Sequence, residues 1–437
     1  MIDAKRATKQ EVSGRERARD RSTEPRILII GAGIVGLALA WRLRCENASV
    51  VIVDPEPPGI GGASFGNAGA ISPHSIAPLA MPGLLGQVPR MLLDKAAPLH
   101  VPASYVLRAA PWLLRFIFSA REASVTSAAA ALHALLRHAV EQHLALAEQI
   151  GAPELIQQKG QLHLYRSPAQ LMKDVETWAL RKSYGISFEA LERADIAALE
   201  PAVGPDYRHG IFLPHQAHCI SPAGYTRAIA AAFVKAGGEI ARDRIRRLTF
   251  SETGISGAAG ETASYHADHV VLAAGAWSTQ LLKPLGYRIP LESQRGYHVD
   301  FPSSGIQLSR PTVAADRKVF FSPMMGGLRV AGTVEFGGLG RPANPARAAL
   351  LHRDAATVFP QVKLEGAAGF WMGHRPCLPD SLPVLGPAQR IQRLWFAFGH
   401  GHLGLTGSAP TAALLASAIL GRSAAIDVSA FSAERFR

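Results

Sequence analysis

Cysteine is scarce in this chain of 437 residues, and its scarcity narrows the kinds of site that the chain can hold. The three cysteines, Cys45, Cys219 and Cys377, are far apart and form no CxxC pair. This spacing excludes a disulfide framework and the common zinc motifs, and it favours a reducing compartment such as the cytoplasm. Long apolar runs are also lacking, so no transmembrane helix is predicted.

Negative charge is in the minority, and the formal net charge is +12. The lysines and arginines are scattered, however, and no basic stripe with interleaved aromatic residues indicates a nucleic-acid partner. The excess of positive charge is better suited to peripheral contact with an anionic membrane surface, such as the cytoplasmic face of an inner membrane. Residues 1–25 are charged and nearly free of large apolar groups, which predicts a disordered tail and no secretory signal.

A glycine-rich motif follows the first predicted strand. The strand Arg26–Ile30 leads into Gly31-Ala-Gly33-Ile-Val-Gly36, which opens a predicted helix, and the next strand ends at Asp54. In a Rossmann βαβ unit the first glycine makes the tight turn, the second admits a pyrophosphate, and the third lets helix and strand pack closely. The helix N-terminus offers N–H groups to the phosphates, and the acidic residue accepts from a ribose hydroxyl. The predicted dinucleotide contacts are Gly31, Ala32, Gly33, Ile34, Val35, Gly36 and Asp54.

Later segments favour FAD over NAD. Residues 62–72 are small and polar, so their backbone can run against a flat ring system. An apolar strand before residue 274 ends in small residues that leave room for a dinucleotide. Residues 398–407 precede a helix whose N–H groups would face the electron-rich edge of a flavin. The contacts predicted from these segments are Ser64, Asn67, Ala68, Gly69, Ala274, Gly275, Trp277, Gly401, His402, Leu403, Gly404, Leu405 and Thr406.

Histidines recur in two places. His133, His138 and His143 are spaced five residues apart, which spreads them around a predicted helix, so they are expected to be solvated. His400 and His402 resemble a metal-binding pair, but no third ligand lies near them in the sequence. No metal site is therefore predicted.

The length indicates more than one domain, and the pattern predicts an α/β protein. A Rossmann-type FAD-binding domain is assembled from separated segments, and an α+β substrate domain carries a mainly antiparallel sheet. The predicted segments are a disordered tail (1–25), the first FAD-binding segment (26–100), a helical and substrate-domain segment (101–200), the second FAD-binding segment (201–287), the antiparallel sheet of the substrate domain (288–365) and the C-terminal FAD-binding segment (366–437).

These blocks, together with Gly373-His-Arg375-Pro-Cys377, resemble the D-amino-acid oxidase superfamily of FAD enzymes. The resemblance runs from about Arg26 to Arg422 and is strongest to D-amino-acid dehydrogenase small subunits and D-hydroxyproline dehydrogenases. It implies oxidation of a D-amino or D-imino acid, such as D-proline, hydroxy-D-proline or D-alanine, to the imine and 2-oxo acid. The hydride passes to FAD and the electrons to a quinone or another acceptor.

The resemblance also assigns roles to individual residues. Arg375 matches the arginine that forms a bidentate pair with the substrate carboxylate, for which a planar guanidinium is well shaped. Tyr297 is expected to contact the substrate, with a plain core tyrosine as the alternative. His402 is expected to contact the substrate or to tune the flavin. Cys377 lies in the region where sarcosine-oxidase relatives attach FAD covalently, and a yellow pellet after acid denaturation would reveal such a bond.

Two other functions remain open at this point. The first is an amine oxidase of the glycine-oxidase or sarcosine-oxidase kind, which uses oxygen directly. The second belongs to another class: a flavin-binding subunit without catalysis.

Overall fold

The computed structural model describes residues 25–82, 99–252 and 254–437. The predicted disordered tail therefore lies, except for Pro25, outside the described residues. The strands are β1 (Arg26–Ile30), β2 (Ser49–Asp54), β3 (Ala70–Ile71), β4 (Leu99–His100), β5 (Ile156–Gln157), β6 (Gln161–Tyr165), β7 (Glu189–Glu192), β8 (His209–Leu213), β9 (Ala217–Cys219), β10 (Glu239–Arg242), β11 (Ile245–Ser251), β12 (Gly254–Gly260), β13 (Ser264–His266), β14 (His269–Leu272), β15 (Glu292–Phe301), β16 (Thr312–Ala314), β17 (Val319–Met324), β18 (Gly327–Phe336), β19 (Phe370–Cys377), β20 (Val384–Pro387) and β21 (Leu394–Phe398).

The helices lie between groups of these strands along the chain. They are α1 (Ile34–Cys45), α2 (Gly62–Phe65), α3 (Val106–Phe118), α4 (Glu122–Leu136), α5 (Ala139–Gln149), α6 (Pro168–Met172), α7 (Val175–Ser183), α8 (Arg193–Leu199), α9 (Pro222–Lys235), α10 (Ser278–Leu282), α11 (Pro345–Val358) and α12 (Gly404–Ile419). No helix in the described part of the chain is both long enough and apolar enough to cross a membrane.

One sheet is the predicted nucleotide-binding core. Among the described residues it has six strands in the order β10-β2-β1-β14-β21-β20, all parallel except the edge strand β20. Its central strands are nearly continuous apolar runs, and Ile27, Ile29 and Val271 are fully buried. Both faces of a parallel sheet are covered, so such strands are apolar on both sides. Helices α1 and α12 pack against each other beside this sheet.

The second sheet is mainly antiparallel, as predicted. In the described ranges it has nine strands, in the order β19-β15-β18-β17-β16-β6-β8-β7 with β4 paired to β18. Its membership departs from the predicted segments at three strands. Leu99–His100, which lies in the predicted first FAD-binding segment, pairs with β18. Phe370–Cys377, which was assigned to the C-terminal FAD-binding segment, pairs along its length with β15, and His209–Leu213 pairs with β6 and β7. Pairing between strands distant in sequence decides membership, and local composition carries no record of it.

The prediction of solvated histidines is wrong for His143. Its side chain is fully buried, and its Nε2 donates to the carbonyl oxygens of Leu405 (2.9 Å) and Thr406 (3.3 Å). Pro410 lacks an N–H, so the carbonyl of Thr406, four residues earlier, has no donor inside α12. His143 supplies that donor from α5 and fixes the beginning of α12. Burial lowers the pKa of His143 to about 4, so the ring is neutral.

Candidate active site

A cavity of about 1090 Å³ lies between the two sheets. The carboxyl ends of β1, β2, β14 and β21 form one wall, as expected for a ligand site on an open parallel sheet. Strands β15, β18 and β19 of the antiparallel sheet form the opposite wall.

The glycine turn after β1 has the geometry that its sequence predicts. Gly31 has a φ of +116°, and its N–H donates to the carbonyl of Val53 at 2.9 Å. A Cβ at Gly31 would lie 2.5 Å from the carbonyl oxygen of Ala273, and one at Gly36 would lie 2.0 Å from that of Gly31. Gly36 itself lies behind the cavity wall, where it lets α1 pack closely on the turn. Gly33 faces the cavity, and a Cβ there would meet only Ser64 Oγ, at 3.5 Å.

Polar groups converge where α1 begins. Gly33, the residue before the helix, has no side chain to cap it, and Ser64 takes this role by accepting the N–H of Ile34 at 3.0 Å. Asp54 accepts the N–H of Ala32 at 2.7 Å through Oδ2 and that of Glu56 at 2.9 Å through Oδ1. Burial raises the pKa of Asp54. The predicted residues Ala32, Ile34 and Val35 also line the cavity.

The segment after α2 is held by the antiparallel sheet. Arg329 donates to the carbonyl of Asn67 at 2.8 Å, and His298 Nδ1 donates to that of Gly66 at 3.0 Å. Asn67 Oδ1 accepts the N–H of Gly69 at 2.8 Å, which closes a tight turn. Asn67 and the predicted neighbour Ala68 line the cavity, whereas Gly69 does not. A Cβ at Gly69 would lie 2.4 Å from the carbonyl oxygen of Cys219, so this glycine serves close backbone packing.

The ends of β14 and β21 complete the cofactor half. Ala274, Gly275 and Trp277 line the cavity at a 3₁₀ turn, with Gly275 at a φ of +53°. After β21, all the residues predicted at the second helix N-terminus line the cavity: Gly401, His402, Leu403, Gly404, Leu405 and Thr406. The hydroxyl of Thr406 accepts the N–H of Ser72 at 3.1 Å and donates to the carbonyl of Ala70 at 3.2 Å. This pair of bonds joins the beginning of α12 to the segment after α2.

The two histidines of this block have different surroundings. His400 is buried, and its Nε2 lies 3.0 Å from Thr411 Oγ1. His402 is exposed to the cavity. Desolvation by the surrounding cavity walls, and then the positive charge of Arg375, lower the pKa of His402 to about 4. A neutral imidazole beside a guanidinium can exchange hydrogen bonds with a bound substrate and is a weak base.

Arg375 is held in the opposite wall without a carboxylate partner. Its Nη1 donates to the carbonyl of Thr333 at 3.3 Å, and no Asp or Glu among the described residues lies within ion-pair distance. Burial lowers the pKa of Arg375. Its guanidinium lies over Gly296, where a Cβ would be 2.3 Å from Cζ. A half-buried cation without an anionic partner is partly desolvated at a cost, and a ligand carboxylate would relieve that cost.

Tyr297 borders the cavity, but its hydroxyl is engaged on the side of the core. Its hydroxyl donates to Glu335 Oε2 at 2.6 Å and accepts the N–H of Asn344 at 3.1 Å, and its side chain is buried in the core. Successive residues of a strand face opposite sides, so Gly296 faces Arg375 while the Tyr297 ring faces away. Burial and the hydrogen bond to Glu335 raise the pKa of Tyr297 to about 12. The geometry favours the core alternative for this residue.

Several lining residues were missed by sequence reasoning. Thr333 has a φ of +54°, in the left-handed region that β-branched residues avoid. It lies at a register shift where β18 has one residue more than β15 between the pairs Arg295–Glu335 and Tyr297–Gly332. Bulges of this kind occur beside active sites, where they redirect groups. Nothing in the local sequence signals this bulge.

Trp371 is a second missed residue. A Cβ at Gly66 would lie 2.2 Å from its ring and one at Gly373 would lie 1.9 Å from it, so the indole is held between two glycine backbones. It also stacks on His298 at 5.0 Å between ring centroids. In the sequence, only Gly66 and Gly373 could have indicated that a large side chain packs closely here.

Cys377 shows no sign of activation. It is buried, burial raises the pKa of its thiol to about 12, and it packs beside Trp112 and Phe336. A buried, protonated thiol is a poor nucleophile.

The residues present fit FAD. The cavity has a glycine turn and helix N-terminus for a pyrophosphate, a carboxylate at Asp54 for a ribose, and a second helix N-terminus at α12 for an electron-rich ring edge. The same cavity extends from these groups to Arg375.

Known proteins resemble this chain over nearly all of the described residues, including those that line the cavity. The family described as DAO, FAD-dependent oxidoreductase, matches residues 26–418. The chain belongs to this family. A relative named D-amino-acid oxidase, from Bradyrhizobium diazoefficiens, is 38% identical over 94% of this chain and 98% of its own length. One named D-amino acid dehydrogenase, from Paramagnetospirillum magneticum, is 32% identical over 94% and 99%.

Solved structures share the fold. Glycine oxidase from Geobacillus kaustophilus superposes with a TM-score of 0.72 at 20% identity, covering 93% of this chain and 98% of that one. L-proline dehydrogenase from P. horikoshii also gives 0.72, at 15% identity and with 94% and 98% covered. The predicted fold class, FAD dependence and oxidoreductase class are confirmed by the family match and these structures.

Proposed function

We propose that this DAO-family chain oxidises a D-amino or D-imino acid with a small uncharged side chain, such as D-proline, hydroxy-D-proline or D-alanine, to the imine and then the 2-oxo acid. Arg375 carries the proposal, because it is a half-buried guanidinium that faces the cavity without a carboxylate partner. The relatives named for D-amino acids support the substrate class and its configuration.

FAD, held by the glycine turn after β1, by Asp54 and by the N-terminus of α12, would supply the acceptor for a hydride from the substrate α-carbon. The residues of the chain bind and orient the substrate. Arg375 pairs with the carboxylate, and the Thr333 carbonyl fixes the guanidinium plane from behind. His402, which is neutral and opens to the same space, is placed to accept a hydrogen bond from the substrate amine.

The charge of the cavity wall formed by β15, β18 and β19 restricts which substrate side chains are favoured. None of the described lining residues from β15, β18 and β19 is a carboxylate, whereas Arg375 is a cation. A substrate with a second cationic group would be desolvated beside Arg375 without compensation. Neutral side chains are therefore favoured over basic ones.

The Arg375→Lys variant tests the role of this arginine. Losing the bidentate pair should lower kcat/KM by about 10- to 100-fold, mostly through KM, while FAD stays bound. Arg422→Lys, on the exposed pair with Glu46, is the matched control. Unchanged turnover in Arg375→Lys would remove Arg375 as the carboxylate ligand.

Anaerobic bleaching of the flavin tests the substrate class. The panel contains D- and L-alanine, D- and L-proline, cis-4-hydroxy-D-proline, glycine, sarcosine and D-lysine. We expect bleaching by small neutral D-substrates and weak bleaching by D-lysine. If glycine and sarcosine bleach the flavin fastest, the glycine-oxidase alternative replaces the proposal, and no bleaching by any compound would support a non-catalytic flavin-binding subunit.

The electron acceptor is tested separately. We infer a quinone or another acceptor in place of oxygen, while the Bradyrhizobium relative named an oxidase keeps oxygen as the alternative. Hydrogen peroxide formed in proportion to substrate consumed would decide for oxygen. Turnover that requires an added quinone would decide for the dehydrogenase.

A further inference from the structure

Helix α3 exposes an apolar face. Leu107 is 90% exposed, and Leu114 and Phe118 are each 56% exposed. Together with the exposed Pro111, these residues follow the spacing i, i+4, i+7, i+11, which places them on one side of a helix. Their burial against protein or lipid would remove a contiguous apolar surface from water.

The opposite face of α3 fixes how the helix lies. Trp112 is buried, and its Nε1 donates to the carbonyl of Cys377 at 3.3 Å. Its ring meets Phe336 edge-on at 5.2 Å between centroids and stacks on Phe116 at 5.1 Å. The core therefore holds one side of the helix, and the apolar face of Leu107, Leu114 and Phe118 points outward. The contact at Cys377 places this helix directly behind the wall that carries Arg375.

Cations lie beside the exposed face. Residues 99–121 contain Arg108, Arg115 and Arg121 and no Asp or Glu. Arg341 joins them from the antiparallel domain, since it donates to Ser104 Oγ at 2.6 Å. No carboxylate among the described residues forms an ion pair with any of these four arginines. An apolar stripe edged by cations that have no carboxylate partner among the described residues is the pattern of a helix that lies in the plane of an anionic membrane surface.

We propose that α3 docks the protein on an anionic lipid bilayer, with Leu107, Leu114 and Phe118 in the acyl boundary and the arginines among the headgroups. The charges argue against a second copy as the occupant. In a two-fold dimer each copy presents the same patch to the other, so the arginines of the two copies would face one another. An anionic surface complements both the apolar face and its cations.

Vesicle co-sedimentation of the FAD-loaded protein tests the proposal. One set of vesicles is pure phosphatidylcholine, and the other has equal parts of phosphatidylcholine and phosphatidylglycerol. We expect binding to the anionic vesicles that weakens as salt rises, and little binding to the neutral ones. The triple variant Leu107→Ser, Leu114→Ser, Phe118→Ser should bind at least about ten-fold more weakly. The triple variant Arg108→Gln, Arg115→Gln, Arg121→Gln should lose the preference for anionic vesicles.

The control exchanges equally exposed apolar residues elsewhere. Val234 is 51% exposed and Met325 is 64% exposed, and their double change to Ser should leave vesicle binding intact. Retained flavin absorbance and turnover of soluble substrate would show that each variant is folded, and the result is independent of the substrate that the site prefers. Equal vesicle binding by the Ser triple variant and the unchanged protein would overturn the proposal. So would absence of vesicle binding together with a dimer that the same triple variant dissociates.

Discussion

At the scale of single residues, Gly296 decides where Arg375 lies. The Cα of Gly296 is so close to the guanidinium that an added methyl group would be 2.3 Å from Cζ and 2.4 Å from one terminal nitrogen. Gly296→Ala should therefore displace Arg375 and raise the KM for the amino acid by about ten-fold or more, as one lost charged hydrogen bond would. FAD affinity should stay the same, because Gly296 lies on β15, in the cavity wall opposite the glycine turn and the N-terminus of α1. Steady-state kinetics and fluorescence titration with FAD measure the two effects.

Gly326→Ala is the matched control for this change. A Cβ at Gly326 would meet nothing within 4 Å, so the variant should keep the KM of the unchanged protein. If Gly296→Ala also retains it, the Arg375 guanidinium does not depend on the space over Gly296, and the carboxylate contact must form in another way.

At the scale of elements, the N-terminus of α1 depends on a residue 30 positions away. Ser64 accepts the N–H of Ile34, which Gly33 cannot cap. Ser64→Ala should leave that N–H without an acceptor and weaken FAD binding by about five- to ten-fold, since a lost cap costs roughly 1 kcal/mol. Titration of the apoprotein with FAD, followed by quenching of flavin fluorescence, gives the dissociation constant.

Ser183→Ala controls for the loss of a hydroxyl as such. Ser183 also bonds to a backbone group, donating to the carbonyl of Leu180 at 2.8 Å, but at an exposed helix end. The Ser183→Ala variant should leave the dissociation constant of FAD unchanged. An unchanged constant in Ser64→Ala would mean that the bound dinucleotide, and not Ser64, satisfies the N–H of Ile34.

Elements differ in how far their sequence predicts them. The turn from β1 to α1 is predictable because its requirements are local: Gly31 needs a positive φ, and Gly36 needs the space beside the turn. The bulge at Thr333 is not predictable from the sequence. Its positive φ is usually adopted by glycine, and here a threonine adopts it. Strand Phe370–Cys377 likewise carries the predicted Arg375, but its place beside β15 comes from pairing across more than 70 residues of chain.

Tyr297 shows the limit of reasoning by resemblance. The residue type and its strand were read from the sequence, but the direction of the side chain depends on the register at the bulge. Glu335 and Asn344, which satisfy its hydroxyl, are 38 and 47 residues further along the chain. No local pattern links these three positions.

At the scale of the whole molecule, buried neutral histidines make stability depend on pH. Burial lowers the pKa of His143 and His218 to about 4, whereas the ordinary value is 6.5. Between pH 4 and pH 6.5 the unfolded chain binds more protons than the folded one. The contribution of these histidines to the free energy of unfolding is therefore greatest above pH 6.5 and decreases as the pH falls toward 4. His143 alone should account for a loss of about 2 kcal/mol between about pH 7.5 and pH 5. Urea unfolding at a series of pH values, with FAD in excess, measures this slope.

The variant His143→Gln isolates one contribution to that slope. Glutamine does not titrate, so the variant should be less stable at neutral pH, where the bonds to Leu405 and Thr406 are weakened, but should lose less stability on acidification. The exposed His266→Gln is the control and should keep the slope of the unchanged protein. Because His143 holds the beginning of α12, which lines the cofactor cavity, FAD release should follow the same pH dependence. A slope in His143→Gln equal to that of the unchanged protein would show that His143 titrates with the same pKa in the folded and unfolded states, which would contradict the buried neutral ring.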